Sequence, residues 1–355
     1  MISRRKFIYQ TAMVTAASAL LSKGFSRIHS EANADFHCFD LHAHPGLFPN
    51  KGGKMYPGDQ MVLKTFHEMG QGNISGAFVG LVADGPLLEM TATGIKVVKT
   101  YQPGEGAKEY QRQRDVLQGF LKDQDIQLAT TSKELTKHGP DTKPAIFLSC
   151  EGGDFLGTET DLLDQMHDDG VRSLQLVHYA PSLLGDLQTD APQHNGLSAS
   201  GKNVVRKLNK LKMVVDVAHA TFKTVQDVVA ITDAPIMLSH SILEMEPDRP
   251  IAKRSISLEH AKLVASTGGI VGAWPSGFNK SFDEYGDNIL RLIDAIGIDH
   301  IGIGTDMDGN FKPVLGSYLQ MNDLAALLQK KGLSDKDVTK IMDGNAKRVI
   351  RKVLG

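Results

Sequence analysis

His42 and His44 are separated by one residue and close a short apolar run, Phe36-His37-Cys38-Phe39-Asp40-Leu41. Side chains in an extended strand repeat every two residues, so both imidazoles project to one side and can share a metal ion. Glu151, His178, His219, His240 and Asp306 each end a further apolar run. Neutral imidazole and carboxylate suit zinc and similar divalent ions, and the lack of a cysteine among these residues argues against a closed structural zinc site. Glu151 is the natural bridge, because one carboxylate has two oxygens and can neutralise two cations. The pattern predicts two Zn2+ ions, with His42, His44 and Glu151 on one and Glu151, His219 and His240 on the other. Manganese, cobalt or iron can use the same ligands. A water shared by the two ions would lose its proton near neutral pH and attack a carbonyl carbon. Asp306, in Gly302-Ile303-Gly304-Thr305-Asp306, is the candidate to take that proton and pass it to the leaving nitrogen. Asp308 competes for this role but is expected one step farther out, in the loop.

Something must bring six strand ends to one point. Apolar runs occur at 36–42, 75–83, 145–151, 173–178, 213–219, 235–240, 269–274 and 300–306, and helix-like segments at 161–169, 201–211, 222–231, 258–266 and 285–295 lie between them. Short strands alternating with helices predict a parallel sheet, and eight units predict a closed (β/α)8 TIM barrel, whose strand C-termini open onto one face. Counting back in twos from the ligands, His219 should stand above Val217 and Val215, His240 above Leu238 and Ile236, and Glu151 above Ser149 and Phe147. The same count puts Cys38 on the side of His42 and Cys150 opposite Glu151, so no disulfide is expected between them. The connection 84–144 should hold a helix at 107–122 and a short one capped by Thr131 or Ser132. The Gly- and Pro-rich stretch 45–59 reads as a mobile loop beside the mouth.

With 355 residues, 41% hydrophobic and 23% charged residues and a net charge of -2, the chain reads as a soluble protein without the basic character of a nucleic-acid binder. Its first residues differ. Ser3-Arg4-Arg5-Lys6-Phe7-Ile8 precedes a weakly apolar stretch and then Ala32-Asn33-Ala34, the pattern of a twin-arginine export signal cleaved after Ala34. Residues 1–34 are therefore expected to be a signal peptide and 35–355 one barrel domain, exported to a bacterial periplasm. The charged end, 346–355, predicts no lipid anchor, hence no stable membrane attachment.

These residues, in this order, resemble the membrane dipeptidase (renal dipeptidase-like) family of the amidohydrolase superfamily. The likeness includes Glu151-Gly152-Gly153, Gly196-Leu197 with Gly201 leading to Val214-Val215-Asp216-Val217-Ala218-His219, Ser239-His240-Ser241, and Gly344-Asn345 with Arg348. It implies a binuclear zinc site bridged by Glu151. It also implies that His178 polarises the substrate carbonyl and that Arg254, rather than the nearby Arg249, grips the substrate carboxylate. A guanidinium can do so with two parallel hydrogen bonds. A homodimer is compatible with it.

Two departures stand out. The family has His-x-Asp on the first strand where this chain has His42-Ala43-His44, which raises the site's charge by about one unit and removes an anion that could attract a substrate ammonium. After His178, Pro181, Leu184 and Asp186 replace the family's Asn, Trp and Asp. Trp274, the only tryptophan, ends the seventh run and can line the pocket. The sequence thus predicts an exported zinc-dependent dipeptidase taking small peptide substrates. Hydrolysis of N-acyl amino acids or other small amides or esters, a catalytically silent binding barrel, and a mononuclear enzyme built on His42, His44 and Asp306 stand as alternatives.

Overall fold

The computed structural model describes residues 36–91, 94–135, 143–157, 160–246, 249 and 253–355. The expected export signal at 1–34 lies outside them. Strands β1 (Cys38–Ala43) and β2 (Ile74–Val82) are followed by a hairpin of β3 (Leu88–Thr91) and β4 (Gly94–Val97). Then come β5 (Ala145–Glu151), β6 (Val171–Gln175), β7 (Val214–Asp216), β8 (Met237–Ser241), β9 (Ile270–Ala273) and β10 (Ile301–Ile303). All but the hairpin pair in parallel and close into a barrel in the order β1-β10-β9-β8-β7-β6-β5-β2. Every predicted apolar run contributes one barrel strand. Strands covered on both faces bury every residue, and β1, β5, β8 and β9 do so throughout.

Helices α1 (Asp59–Gln71), α2 (Glu105–Asp123), α3 (Leu162–Asp168), α4 (Ala199–Lys210), α5 (Phe222–Val229), α6 (Leu258–Ser266) and α7 (Phe282–Ile296) surround the barrel. The chain then runs through α8 (Met321–Lys330) and α9 (Asp335–Thr339) to α10 (Asn345–Leu354). Five of these helices start on a hydroxyl: Ser198, Thr221, Ser257, Ser281 and Ser334 accept from the backbone N–H three residues on, which satisfies a donor the helix itself cannot. In α2 the buried residues Tyr110, Gln113, Leu117 and Phe120 recur at helical spacing. Gln113 spends its amide on the end of β2, with Oε1 2.8 Å from Val82 N and Nε2 2.9 Å from Val82 O.

The last helix plugs the end of the barrel where the strands begin. Ala346, Val349, Ile350, Val353 and Leu354 form one cluster with Phe39, Leu41, Phe78, Phe147, Val214, Met237 and Ile270. Burying one such aliphatic side chain contributes roughly 1.5–3 kcal/mol. Asn345 donates to the carbonyls of Ile298 and Ile301, and Arg348 to those of Gly268 and Asp299. The Asn345 and Arg348 of the sequence motif thus tie this plug to the strand starts.

Several expectations fail locally. Counting in twos holds for β5, where Phe147 is in the central cluster, but that cluster contains Phe39 and Leu41, Val214 and Met237 rather than Val215, Val217, Leu238 or Ile236. The ladder slips between Asp40 and Ala43 and between Leu238 and Ser241, and His219 adopts a left-handed φ of 66° after β7 has ended. Each irregularity turns a side chain to the other face. Cys38 and Cys150 are buried free thiols. The hairpin β3–β4 was not anticipated, whereas the short helix expected on Thr131 or Ser132 is present as a single 3-10 turn, 132–134, with Thr131 as its cap in a capping box with Glu134. The stretch 45–59 is anchored at its start: Pro45, Gly46, Phe48 and Pro49 are buried, and Asp308 Oδ2 accepts from Gly46 N and Thr65 Oγ1, both at 2.6 Å. Asp308 is committed there and does not compete with Asp306.

Candidate metal centre

Glu151 is the hub. Its Oε1 lies 3.2 Å from His42 Nε2, 3.4 Å from His178 Nε2, 3.6 Å from His219 Nε2 and 3.9 Å from His240 Nε2, and its Oε2 lies 3.1 Å from His44 Nε2. The Nε2 atoms of His42 and His44 approach to 3.0 Å, as do those of His219 and His240. Two trios, His42-His44-Glu151 and Glu151-His219-His240, each bring one donor atom per residue within 4.8 Å of the others. Ligands of a tetrahedral zinc at bonds of about 2.0 Å stand about 3.3 Å apart, so these separations fit divalent ions of that size. All five residues of the trios are buried.

The far sides of the rings are held by acceptors. His44 Nδ1 lies 2.9 Å from the Gly80 carbonyl, His178 Nδ1 2.6 Å from Asp84 Oδ1 and His240 Nδ1 3.0 Å from Ser239 Oγ. A carbonyl or carboxylate oxygen can only accept, so in His44 and His178 the Nδ1 carries the hydrogen and the outer nitrogen faces the centre. The His219 Nδ1 is buried without a partner. Gly152, directly after the hub, has φ +88°, a turn at which a side chain would be strained.

Three buried aspartates underpin these positions, and none was picked out from the sequence. Asp40 accepts from His42 N, Thr305 N, Thr305 Oγ1 and Tyr318 Oη, which locks β1 to the segment leading to Asp306. Asp216 accepts from Ala218 N and Ser239 N, both at 3.0 Å, and so fixes the approaches to His219 and His240 together. Asp84 adds Tyr179 N and Ala180 N to its contact with His178. A charged residue inside an apolar strand run, as at Asp40 and Asp216, was the available signal.

The electrostatics follow from burial against the Glu151 charge. Burial would raise the Glu151 carboxyl, but His178, His42 and His44 hold it well below the usual range. Burial disfavours charge on His42 and His178, yet Glu151 carries the first up to about 9, and Asp84 with Glu151 does the same for the second. His219 and His240 are driven well below the ordinary imidazole value by burial, with Arg254 and His42 adding to it, so both are neutral. Asp306, Oδ1 3.7 Å from His44 Nε2, is pushed up to about 6 by burial and by Glu151. Its backbone, at φ 52°, is left-handed, with its N–H bonded to the His42 carbonyl at 2.9 Å.

The arginines separate cleanly. Arg249 is saturated by Glu284 and Glu246, whereas Arg254 bonds Gln188 Oε1 through Nη1 and leaves Nε and Nη2 buried without a partner among the described residues. Its guanidinium carbon lies 5.5 Å from the Trp274 ring, which in turn lies 5.5 Å from the His240 ring. Trp274 therefore adjoins the His240 ring, and it is also packed in a buried cluster with Ile242, Met245 and Phe278. Asp186, by contrast, pins its own loop, accepting from Gln193, His194 and Gly196 N–H groups.

A parallel barrel that gathers histidines and carboxylates from its strand ends around one glutamate is an amidohydrolase-type barrel. Within that class the chain belongs to the membrane dipeptidase family: the family model described as "Membrane dipeptidase (Peptidase family M19)" matches residues 67–354. The match starts after β1, so His42 and His44 lie ahead of it. Dipeptidase tcpJ of Claviceps purpurea is 32% identical over 222 residues, 59% of this chain and 51% of that protein. Dipeptidase 3 of Mus musculus is 27% identical over 224 residues, 59% of this chain and 45% of that protein. The chain spans about half the length of the curated relatives it matches. Among solved structures, that of dipeptidase AC, a metallo peptidase, superposes with a TM-score of 0.77 at 19% identity, over 91% of this chain and 100% of that one. A Rhodobacter sphaeroides metallo peptidase liganded with a phosphinate mimic of L-Ala-D-Ala gives 0.75 at 18%, over 90% and 99%. Both carry the same barrel fold.

Proposed function

We propose that this chain hydrolyses the amide bond of dipeptides or close analogues with two divalent metal ions, zinc by ligand type. The observation that carries the reading is the Glu151 carboxylate ringed by five imidazole Nε2 atoms, four of them in two trios with it and the fifth that of His178. Bound there, a pair of divalent ions supplies Lewis acidity and lowers the pKa of water. The protein supplies the rest. His42 and His44 would hold one ion and His219 and His240 the other, with Glu151 offering a carboxylate oxygen to each. Asp306 takes a proton on its carboxylate and returns it to the leaving nitrogen, for which a carboxyl raised toward neutrality is suited. As the imidazolium that Asp84 and Glu151 favour, with Nδ1–H on Asp84, His178 donates from Nε2 to the carbonyl oxygen as charge builds on it. Arg254 binds the free carboxylate through the two donors that otherwise lack partners.

A second reading, hydrolysis of N-acyl amino acids, is favoured by His44. This imidazole stands where a carboxylate ligand would help hold a substrate ammonium. The pattern Arg4-Arg5 with Ala32-Asn33-Ala34 supports export through the twin-arginine route. Turnover of L,L, L,D and N-acetylated dipeptides, with metal content measured on the same sample, tests the proposal. Cleavage of free dipeptides at two metals per chain supports it. Cleavage of blocked substrates alone moves the function to acyl-amino-acid hydrolysis, and two metals without turnover sink the enzymatic reading.

A further inference from the structure

Among the described barrel strands, β2 delivers no side chain to the metal trios, yet the residue two past its end is fully buried and charged. This is Asp84. One of its oxygens, Oδ1, lies 2.6 Å from His178 Nδ1, while the other, Oδ2, accepts from Tyr179 N at 2.9 Å and Ala180 N at 2.8 Å. The turn that carries it is fixed on three sides. Ala83 N donates to the Glu151 carbonyl at 2.8 Å, Tyr101 Oη donates to the Ala83 carbonyl at 2.7 Å, and Leu87 N donates to the Asp84 carbonyl at 2.8 Å.

Resting on the dipeptidase reading, we infer that Asp84 is the positioning residue for His178: it binds the Nδ1 hydrogen and thereby turns Nε2 to the substrate's carbonyl oxygen. An imidazole has two nitrogens, and the partner of one decides what the other offers. A carboxylate only accepts, so opposite Asp84 the Nδ1 must donate, and the ring can neither flip nor exchange its nitrogens without breaking a bond to a buried anion. The Nε2 is thereby directed to the hub, 3.4 Å from Glu151 Oε1. Leaving a buried charge without a partner is costly, so the pair holds its geometry. The competing role is purely local, with Asp84 pinning residues 179–180 through their backbone.

The two roles separate in Asp84→Asn. The amide oxygen can still accept from Tyr179 and Ala180, but its NH2 then faces the ring and cannot accept from Nδ1–H. On the metal-loaded full chain, kcat for dipeptides should fall about 10- to 100-fold, the loss typical of an outer partner of a site histidine. KM and metal content should change little. In a His178→Gln background the same substitution should cost nothing further. The proton resonance of His178 Nδ1–H, assigned by its absence in His178→Gln, should be present in the parent protein and lost in Asp84→Asn. An equal loss of kcat in the His178→Gln background, or an Nδ1 proton that survives the substitution, overturns the inference. Should the parent cleave no dipeptide, the dipeptidase reading falls by itself and the Nδ1 proton decides on Asp84: present in the parent and lost in the variant supports the tether, absent in the parent refutes it.

Discussion

The carbonyl oxygen of Gly80 lies 2.9 Å from His44 Nδ1, and a β-carbon at position 80 would stand 2.8 Å from Cε1 of the same ring. One glycine therefore does two things for His44. Its carbonyl sets which ring nitrogen is free, and its missing side chain makes room for the ring beneath the centre. A chain with a shorter ligand at position 44 would not need that space in the same way.

Gly80→Ala should accordingly displace His44 and empty the ion that it shares with His42. After dialysis against metal-free buffer, bound metal should fall from two toward one per chain. Loss of an outer partner alone weakens metal binding by about 10- to 100-fold, and steric displacement adds to that. Two ions retained with unchanged affinity would mean that His44 is not a ligand.

Asp306→Asn should abolish turnover while both ions stay bound. Asparagine fills the same volume at the same left-handed backbone position, which Asn tolerates well, but it cannot take up a proton. Metal analysis beside the assay decides the matter. If metal leaves with the activity, Asp306 is a ligand and its part in proton transfer is wrong.

For Arg254→Ala, the structure gives a graded expectation. Two charge-assisted hydrogen bonds to a carboxylate contribute about 1.5–3 kcal/mol each. The Michaelis constant for free-carboxylate dipeptides should therefore rise at least tenfold, and that for the C-terminally amidated analogues far less. A rise equal for both substrates would remove the assignment. Arg249→Ala serves as the control, since its guanidinium is already engaged by Glu284 and Glu246.

The barrel was legible because its strands are near-continuous apolar runs and its ligands end those runs, so each element and each candidate ligand carries its own local signal. What counting in twos could not see were the ladder slips at Asp40–Ala43 and Leu238–Ser241 and the left-handed turn at His219. These depend on hydrogen bonds between distant segments, such as Asp40 to Thr305 and Asp216 to Ser239. For the same reason the sequence could set Asp306 ahead of Asp308, which has the same parity, only by its place one step nearer the strand. The partners of Asp308 are Gly46 and Thr65, 262 and 243 residues away. The hairpin β3–β4 gave little warning, since the strands are four residues each and those of β4 are largely exposed.

Asp186, in the loop that follows His178, carries a prediction about acid stability. Burial would raise its carboxyl, but the N–H groups of Gly196, His194 and Gln193 hold it below the ordinary aspartate value. A carboxyl whose folded pKa is depressed contributes stability above its unfolded pKa and loses it as pH falls through the folded one. Asp186→Asn, which keeps the shape but faces one of those N–H groups with its own NH2, should cost about 1–3 kcal/mol at pH 7. The difference in Tm between the two proteins should hold from neutral pH down to about 4 and close below that. Thermal melts of both across that range, with metal chelated in each to remove the centre's own pH dependence, give the comparison. A gap that is the same at every pH would mean that the carboxylate charge contributes nothing to holding the 186–196 loop.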